Sequence, residues 1–286
     1  MLRSGDTIGL ISCSNGRDPE REGDIAHIEE LLFTNFTIKS ERAATIFRTE
    51  NELASGDPKE RAEALMQLYQ NPEIKAIFDI SGGDLANEIL PYLDFKQIQS
   101  ANKPFIGYSD LTVIQNAIYA KTGIGGYNYQ LLHMASDNSK RQLEQFKNSF
   151  IEANKQEIPY EILIDNGDIR GKIIGGNIRC LLKLAGTEYM PNFQGKAVVL
   201  EALSGDVAKI RTYLAQLDQI GVFQVANGVI LGQFTEMQTK HLAPAVEDLT
   251  RNYVEKYNKF LLRTGMIGHH TSAEPFPIGF PLKNNF

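Results

Sequence analysis

Apolar residues recur with two different periods near the start of the chain. Residues 7–12 (TIGLIS) form a short apolar run between polar residues, which predicts a buried strand. The next apolar positions recur at helical spacing and predict an amphipathic helix: Ile25, Ile28, Leu31 and Leu32. The first part of the chain therefore begins with a strand followed by a helix.

A second helix is indicated by its start signal. Asp57 is placed as the cap, Pro58 as the first helical residue, and Glu60 three residues after the cap. Leu65 and Leu68 supply the apolar face of this helix. The pattern thus repeats the alternation of strand and helix.

Two further apolar runs predict strands, at residues 74–81 and 104–109, and a helix after the second run stops at Gly123. Alternating strands and helices are typical of an α/β fold with a parallel sheet. Ligands bind at the carboxyl ends of the strands in such sheets. Three residues of interest lie at those ends: Gly82, Gly83 and Ser109.

The second half of the chain alternates less clearly. We predict an N-terminal α/β domain over residues 1–137, a polar connecting segment over 138–168, and a smaller, β-rich mixed C-terminal domain over 169–286. The last domain contains strands around KAVVLEAL and NGVILGQF and an amphipathic helix predicted over residues 245–265.

The composition and net charge of the chain exclude several classes of function. The chain has 286 residues, is 42% hydrophobic and carries a formal net charge of −6, without a cluster of Lys and Arg. It is therefore not expected to bind nucleic acid or a membrane surface. No segment resembles a signal peptide or membrane span, so we expect a cytoplasmic protein. Two cysteines, Cys13 and Cys180, are too few for a disulfide framework or a zinc site, and neither a metal nor a cofactor is expected.

Ser109 lies at a sharp strand-to-helix turn and admits two interpretations. A serine before a helix is ordinarily its N-cap. Alternatively, such an elbow lifts the hydroxyl above the sheet, where the serine can act as a nucleophile. A nucleophilic serine needs a base and a group that orients the base.

The chain has five histidines as candidate bases. His27 lies on a predicted helix surface, His133 is either packed or substrate-facing, and His241 precedes a helix. His269 and His270 are adjacent, so their side chains point to opposite faces of an extended chain and one of them can enter a cleft.

Glu201 is the candidate orienting carboxylate, because it interrupts the apolar run AVVLEAL, where an unpaired charge is costly. The alternative is that it ends a strand and reaches solvent. The residues alone leave these alternatives open.

Five segments resemble the LD-carboxypeptidase family of serine peptidases, which includes murein tetrapeptide carboxypeptidases and microcin C immunity peptidases. The segments are SGGDLANEILPYLDF, KPFIGYSDLTVIQNAIYAKTG, GKIIGGNIRCLLKLAGTEYMPNFQGKAVVLEA, LDQIGVFQVANGVILGQF and GHHTSAEPFPIG. The resemblance spans nearly the whole chain. It implies a nucleophile domain followed by a smaller domain that supplies the other two residues of a Ser-His-Glu triad.

Transferred residue by residue, the resemblance assigns Ser109 as nucleophile, His269 as base and Glu201 as orienting carboxylate. The backbone N–H groups of Gly83 and Asp110 become the oxyanion donors, as fixed dipoles beside a developing charge should be. The resemblance also implies a homodimer.

The substrate stays open between two classes. Many murein-cleaving members carry Arg directly before the Gly-Gly pair, where this chain has Ser81, and Ala202 stands where the family often has Asp. The murein tetrapeptide, cleaved at its L,D-amide to release D-Ala, is slightly favoured over a peptidyl or aminoacyl nucleotide. A non-catalytic nucleotide- or anion-binding protein, using Gly82-Gly83 or Gly175-Gly176, is the alternative of another class.

Overall fold

The computed structural model of the protein describes residues 2–50, 52–152 and 158–282. Its strands are β1 (Thr7–Ile11), β2 (Lys39–Arg42), β3 (Ile74–Asp79), β4 (Phe105–Gly107), β5 (Gly126–Asn128), β6 (Glu161–Ile164), β7 (Ile173–Asn177), β8 (Ala197–Ala202), β9 (Gly228–Phe234), β10 (Phe260–Arg263) and β11 (Phe276–Ile278). Its α-helices are α1 (Glu22–Phe36), α2 (Pro58–Gln70), α3 (Phe95–Ala101), α4 (Thr112–Thr122), α5 (Ser139–Phe146), α6 (Ile178–Leu182), α7 (Val207–Gln219), α8 (Val222–Val225), α9 (Thr235–Thr239) and α10 (Val246–Lys256).

The strands form two sheets. The first has the order β11-β5-β4-β3-β1-β2, and all its pairings are parallel except β11 with β5. The second has the order β6-β10-β9-β8-β7, and all its pairings are parallel except β10 with β6. The α/β fold class with a mostly parallel first sheet and a second mixed sheet is confirmed.

The predicted start signal of helix α2 and the predicted stop signal of helix α4 are both confirmed. The Asp57 carboxylate accepts from the N–H groups of Lys59 and Glu60, and the Glu60 carboxylate accepts from the N–H of Asp57, which completes a capping box. Helix α4 ends at Gly123, whose φ of 76° favours glycine. Leu65 and Leu68 are buried against the first sheet.

The predicted helix over residues 245–265 is wrong in its second half. Helix α10 ends at Lys256, and Asn258 has a φ of 52°, which turns the chain into strand β10. Three consecutive residues of β10 are fully buried between layers: Phe260, Leu261 and Leu262. Such a continuous apolar run fits a parallel strand buried on both faces better than an amphipathic helix.

The Gly175-Gly176 pair lies where the two sheets' elements meet. The amide of Asn116 in α4 exchanges two hydrogen bonds of 2.9 Å with the backbone of Gly175 in β7. A side chain at Gly176 would lie 2.6 Å from the Oγ1 of Thr112. The glycines therefore allow α4 to dock closely on the second sheet.

The segment over 138–168 contains both helix α5 and strand β6. The aromatic rings of Phe146 and Phe150 are buried in the core beneath the first sheet, whereas β6 is an edge strand of the second sheet. The proposed domain limits at 137 and 168 remain a prediction. Among the helices of the described residues, none is both long and apolar enough to span a bilayer.

Candidate active site

Ser109 follows strand β4 after one intervening residue, Tyr108, and lies in a strained elbow. Its φ is 53°, in the left-handed region that a non-glycine residue rarely adopts. The N-cap of the short 3-10 helix Ser109–Leu111 is Tyr108, which makes no side-chain capping bond. Ser109 is therefore not the cap, and the geometry favours the elbow interpretation. Strain of this kind is found at functional sites.

Glu201 in strand β8 is in contact with His269, which lies in the loop between β10 and β11. The Oε2 atom of Glu201 lies 2.8 Å from Nδ1 of His269, and the two side chains are only 1% and 5% exposed. A carboxylate can only accept, so Nδ1–H donates and Nε2 carries the lone pair in the neutral ring. Nε2 is buried and has no hydrogen-bond partner among the described residues. Glu201 thus orients the imidazole.

The loop that carries His269 is held from both halves of the chain. The Nε2 of Gln142 donates to the carbonyls of Thr271 and Ala273 at 2.7 and 2.9 Å. The backbone N–H of His270 donates to Gln233, while the Nδ1 of its exposed ring lies 2.8 Å from the Ser272 hydroxyl. The fold therefore distinguishes two histidines that are neighbours in sequence.

Tyr108 connects the serine elbow with the histidine. Its ring centroid lies 5.1 Å from that of His269 and 6.0 Å from that of His133. Because Ser109 follows Tyr108 directly, the elbow and the imidazole border one site. Among the described residues, His269 Nε2 forms no hydrogen bond with Ser109 Oγ.

Gly83 and Asp110, whose backbone N–H groups are the expected oxyanion donors, are both held in place by their surroundings. Gly83 has a φ of 124°, and a side chain there would collide with Asn15 at 2.2 Å. The Asp110 carboxylate is fully buried and accepts from Ser14 Oγ at 2.7 Å, Ala86 N at 2.8 Å and Lys183 Nζ at 2.6 Å. Both positions are thereby fixed.

Two basic side chains from the second half of the chain, those of Lys183 and Arg179, contact the segments that carry these donors. Lys183 also donates to the Asp84 carbonyl at 2.6 Å, and Arg179 donates to the Gly83 carbonyl at 3.2 Å and pairs with the Asp84 carboxylate. Sequence reasoning missed these contacts, because no pattern in the residues links positions 73 to 99 apart.

Ser81 occupies a buried position behind the Gly-Gly turn. Its hydroxyl donates to Oδ1 of Asp79 at 2.6 Å, and the other oxygen of Asp79 accepts from the N–H of Cys13 at 2.8 Å. Burial raises the pKa of Asp79 to about 6, against the lowering effect of these hydrogen bonds. Ser81 therefore points into a buried network and not toward solvent.

The structure also gives the environments of the other candidate histidines and of the two cysteines. His27 and His241 are exposed, whereas His133 is 8% exposed and packs on Tyr108. Cys13 and Cys180 are buried free thiols. Within residues 2–50, 52–152 and 158–282, no group of three or more His, Cys, Asp or Glu could hold a metal ion.

Burial lowers the pKa of His133 to about 4, with the positive charges of His269 and His270 adding to the effect. Its ordinary value of 6.5 applies to the unfolded chain. Between these pH values the unfolded chain binds a proton that the folded protein does not, so His133 should reduce stability as the pH falls from 6.5 to 4. The maximum effect is about 3 kcal/mol.

We therefore expect the stability difference between the native protein and a His133→Gln variant to change over this range, in favour of the variant at low pH. Urea unfolding at several pH values between 4 and 7 measures it. Asp79, whose raised pKa makes stability fall as pH rises, is present in both proteins and cancels in the difference. A pH-independent difference would contradict the assignment.

Comparison with known proteins shows which family this chain belongs to. Residues 8–129 match the model of the LD-carboxypeptidase N-terminal domain, and residues 170–283 match that of the LD-carboxypeptidase C-terminal domain. These matches define a hydrolase of the serine carboxypeptidase class. The chain belongs to the LD-carboxypeptidase family.

Two curated relatives illustrate the range of the family. The chain is 26% identical to a probable murein peptide carboxypeptidase of Bacillus subtilis over 290 residues, covering 97% of this chain and 88% of the relative. It is 29% identical to the microcin C7 self-immunity protein MccF of Escherichia coli over 269 residues, covering 81% and 76%.

Solved structures show the same fold. An MccF-like protein from Bacillus anthracis superposes with a TM-score of 0.82 and 25% identity, covering 98% of this chain and 93% of the other. MccF in complex with glutamyl sulfamoyl guanosine gives a TM-score of 0.81 at 22% identity, with the same coverage.

Proposed function

We propose that this protein is a serine carboxypeptidase that cleaves an L,D-amide, releasing terminal D-Ala from a murein tetrapeptide. The observation that carries the proposal is the buried 2.8 Å contact between His269 and Glu201 beside the strained elbow at Ser109. A hydroxyl, an imidazole and an orienting carboxylate are the three groups that serine hydrolysis requires. The name of the Bacillus subtilis relative supports the murein substrate.

In the proposed reaction, Ser109 Oγ attacks the carbonyl carbon of the amide while His269 Nε2 accepts the hydroxyl proton. The carbonyl oxygen becomes an oxyanion that accepts from the N–H groups of Gly83 and Asp110. His269 then gives the proton to the leaving amine, the C–N bond breaks, and an acyl-enzyme remains. Water then attacks the acyl carbon while His269 Nε2 accepts one of its protons, the ester C–O bond breaks, and His269 returns the proton to Ser109 Oγ.

A second candidate substrate is a peptidyl or aminoacyl nucleotide. The structural similarity to MccF, solved with glutamyl sulfamoyl guanosine, favours it. The chemistry at the triad would be unchanged, because both substrates present an amide to the serine. The chain has no Trp, so a nucleotide base would stack on Tyr or Phe.

The decisive experiment offers the purified protein both substrate classes and identifies the products by mass spectrometry. We expect D-Ala release from the tetrapeptide, with the pentapeptide and the all-L tetrapeptide left intact, and no loss of activity in chelator. Hydrolysis of an aminoacyl sulfamoyl adenosine without D-Ala release would move the assignment to the nucleotide class. Binding without turnover of any substrate would favour the non-catalytic alternative.

We also propose that the enzyme is a homodimer, from the family resemblance, and that it is cytoplasmic, because no segment resembles a signal peptide or membrane span. The substrate would then be a small peptide that reaches the cytoplasm, and the −6 net charge gives no reason to expect nucleic acid as partner. Size-exclusion chromatography with light scattering measures the assembly. A mass near 31.9 kDa would indicate a monomer.

A further inference from the structure

A cavity of about 280 Å³ borders the candidate active site and is lined by Arg17, Arg21, Tyr108, Gln130, His133 and Thr271, among others. Tyr108 precedes Ser109, and its ring contacts that of His269. Thr271 lies two residues after His269. The cavity is therefore placed next to the proposed nucleophile and base, on the side of Tyr108.

The charges around this cavity have one sign. Two arginines line it, and no Asp or Glu is among the described residues that form its wall. Outside the wall, Asp18 pairs with Arg48 at 2.6 Å, and Asp24 pairs with Arg21, which leaves Arg17 as the wall arginine without an ion pair among the described residues. An anion is the ligand that such a wall attracts.

Arg17 is the unpaired group of this wall. Among the described residues it forms no ion pair, and its Nε atom is buried without a hydrogen-bond partner. Burial lowers the pKa of Arg17, although a guanidinium stays charged in proteins. A buried cationic donor without a partner is costly, and a substrate anion removes that cost. His133, whose buried Nδ1 atom also lacks a partner among the described residues, is another residue of the cavity wall.

The backbone holds Arg17 in place independently of its side chain. The N–H of Arg17 donates to the Ile46 carbonyl and the N–H of Arg48 donates to the Arg17 carbonyl, both at 2.8 Å. The side chain is thus presented to the cavity from a fixed loop, and its replacement should leave the fold unchanged.

We propose that Arg17 binds the carboxylate at the free end of the substrate, on the leaving-group side of the scissile amide. This inference rests on the proposed function and extends it to the group that makes the enzyme a carboxypeptidase. Guanidinium and carboxylate match in a bidentate geometry, which fixes orientation as well as charge. The contact positions the amide beside Ser109 and disfavours substrates whose terminus is uncharged.

The test compares two substrates, the tetrapeptide with a free D-Ala carboxylate and the same peptide ending in D-alaninamide. We expect Arg17→Gln to lower kcat/KM for the free acid by roughly 10- to 100-fold, the range for loss of a charged hydrogen bond, and to change the amide much less. Arg17→Lys should retain part of the preference. Arg48→Gln is the control, since it removes one charge from the same loop pair outside the cavity.

A binding measurement separates this inference from the proposed function. In the Ser109→Ala background, calorimetry should show that the acid binds more tightly than the amide and that Arg17→Gln abolishes the difference. If the native protein turns over neither peptide while this preference persists, the proposed function fails and the carboxylate site stands. Equal losses for acid and amide, or no loss in Arg17→Gln, would overturn the site.

Discussion

Replacing Ser109 by Ala should lower kcat by roughly 10⁴-fold or more, because the proposed acyl-enzyme forms on the Ser109 hydroxyl. His269→Ala should have a comparable effect, and Glu201→Gln should cost roughly 10³-fold or more through loss of the productive tautomer. Steady-state kinetics on the best substrate from the panel measures each loss. Circular dichroism verifies that the variants are folded.

The losses should not add if Ser109, His269 and Glu201 act as the proposed triad. A Ser109→Ala, His269→Ala double variant should be about as inactive as either single variant. His270→Ala is the matched control: its ring is exposed and bonds to Ser272, so activity should change little. Inactivation by His270→Ala with an active His269→Ala would reverse the assignment within the pair.

Replacing Lys183 by Met should destabilise the protein by about 3 kcal/mol, because it leaves the fully buried Asp110 carboxylate without its cation. The same change should lower kcat, since the N–H of Asp110 is one of the two proposed oxyanion donors and Lys183 also holds the Asp84 carbonyl beside Gly83. Urea unfolding and steady-state kinetics measure the two effects.

Lys121→Met provides the control for this prediction. Lys121 is 26% exposed, close to the 19% of Lys183, but its partner Glu188 is 71% exposed. Screening by water should limit its loss to under about 1 kcal/mol. Adding Asp110→Asn to Lys183→Met removes the stranded charge and should restore part of the stability. An unchanged urea midpoint in Lys183→Met would contradict the role given to this ion pair.

Much of the fold follows from local patterns. The capping box at Asp57 and the glycine stop at Gly123 were predicted because each depends on residues within one helical turn. The strand β10 was missed because FLLR is compatible with either a helix or a strand. Pairing with strands β6 and β9 makes this segment a strand. Strand β6 ends 96 residues before β10 begins, so the sequence near β10 does not show this pairing.

The sequence by itself determined the α/β class and marked Ser109 at an elbow and Glu201 as a charge inside an apolar run. Only the tertiary structure decided that Glu201 contacts His269, that Lys183 pairs with Asp110, and that Arg17 lines a cavity without an ion-pair partner in the described part of the chain. The reason is physical: helix caps and strand periodicity are set by neighbours in sequence. The environment of a charge depends on which distant groups the fold brings within a few ångströms, and local residue patterns do not encode that distance.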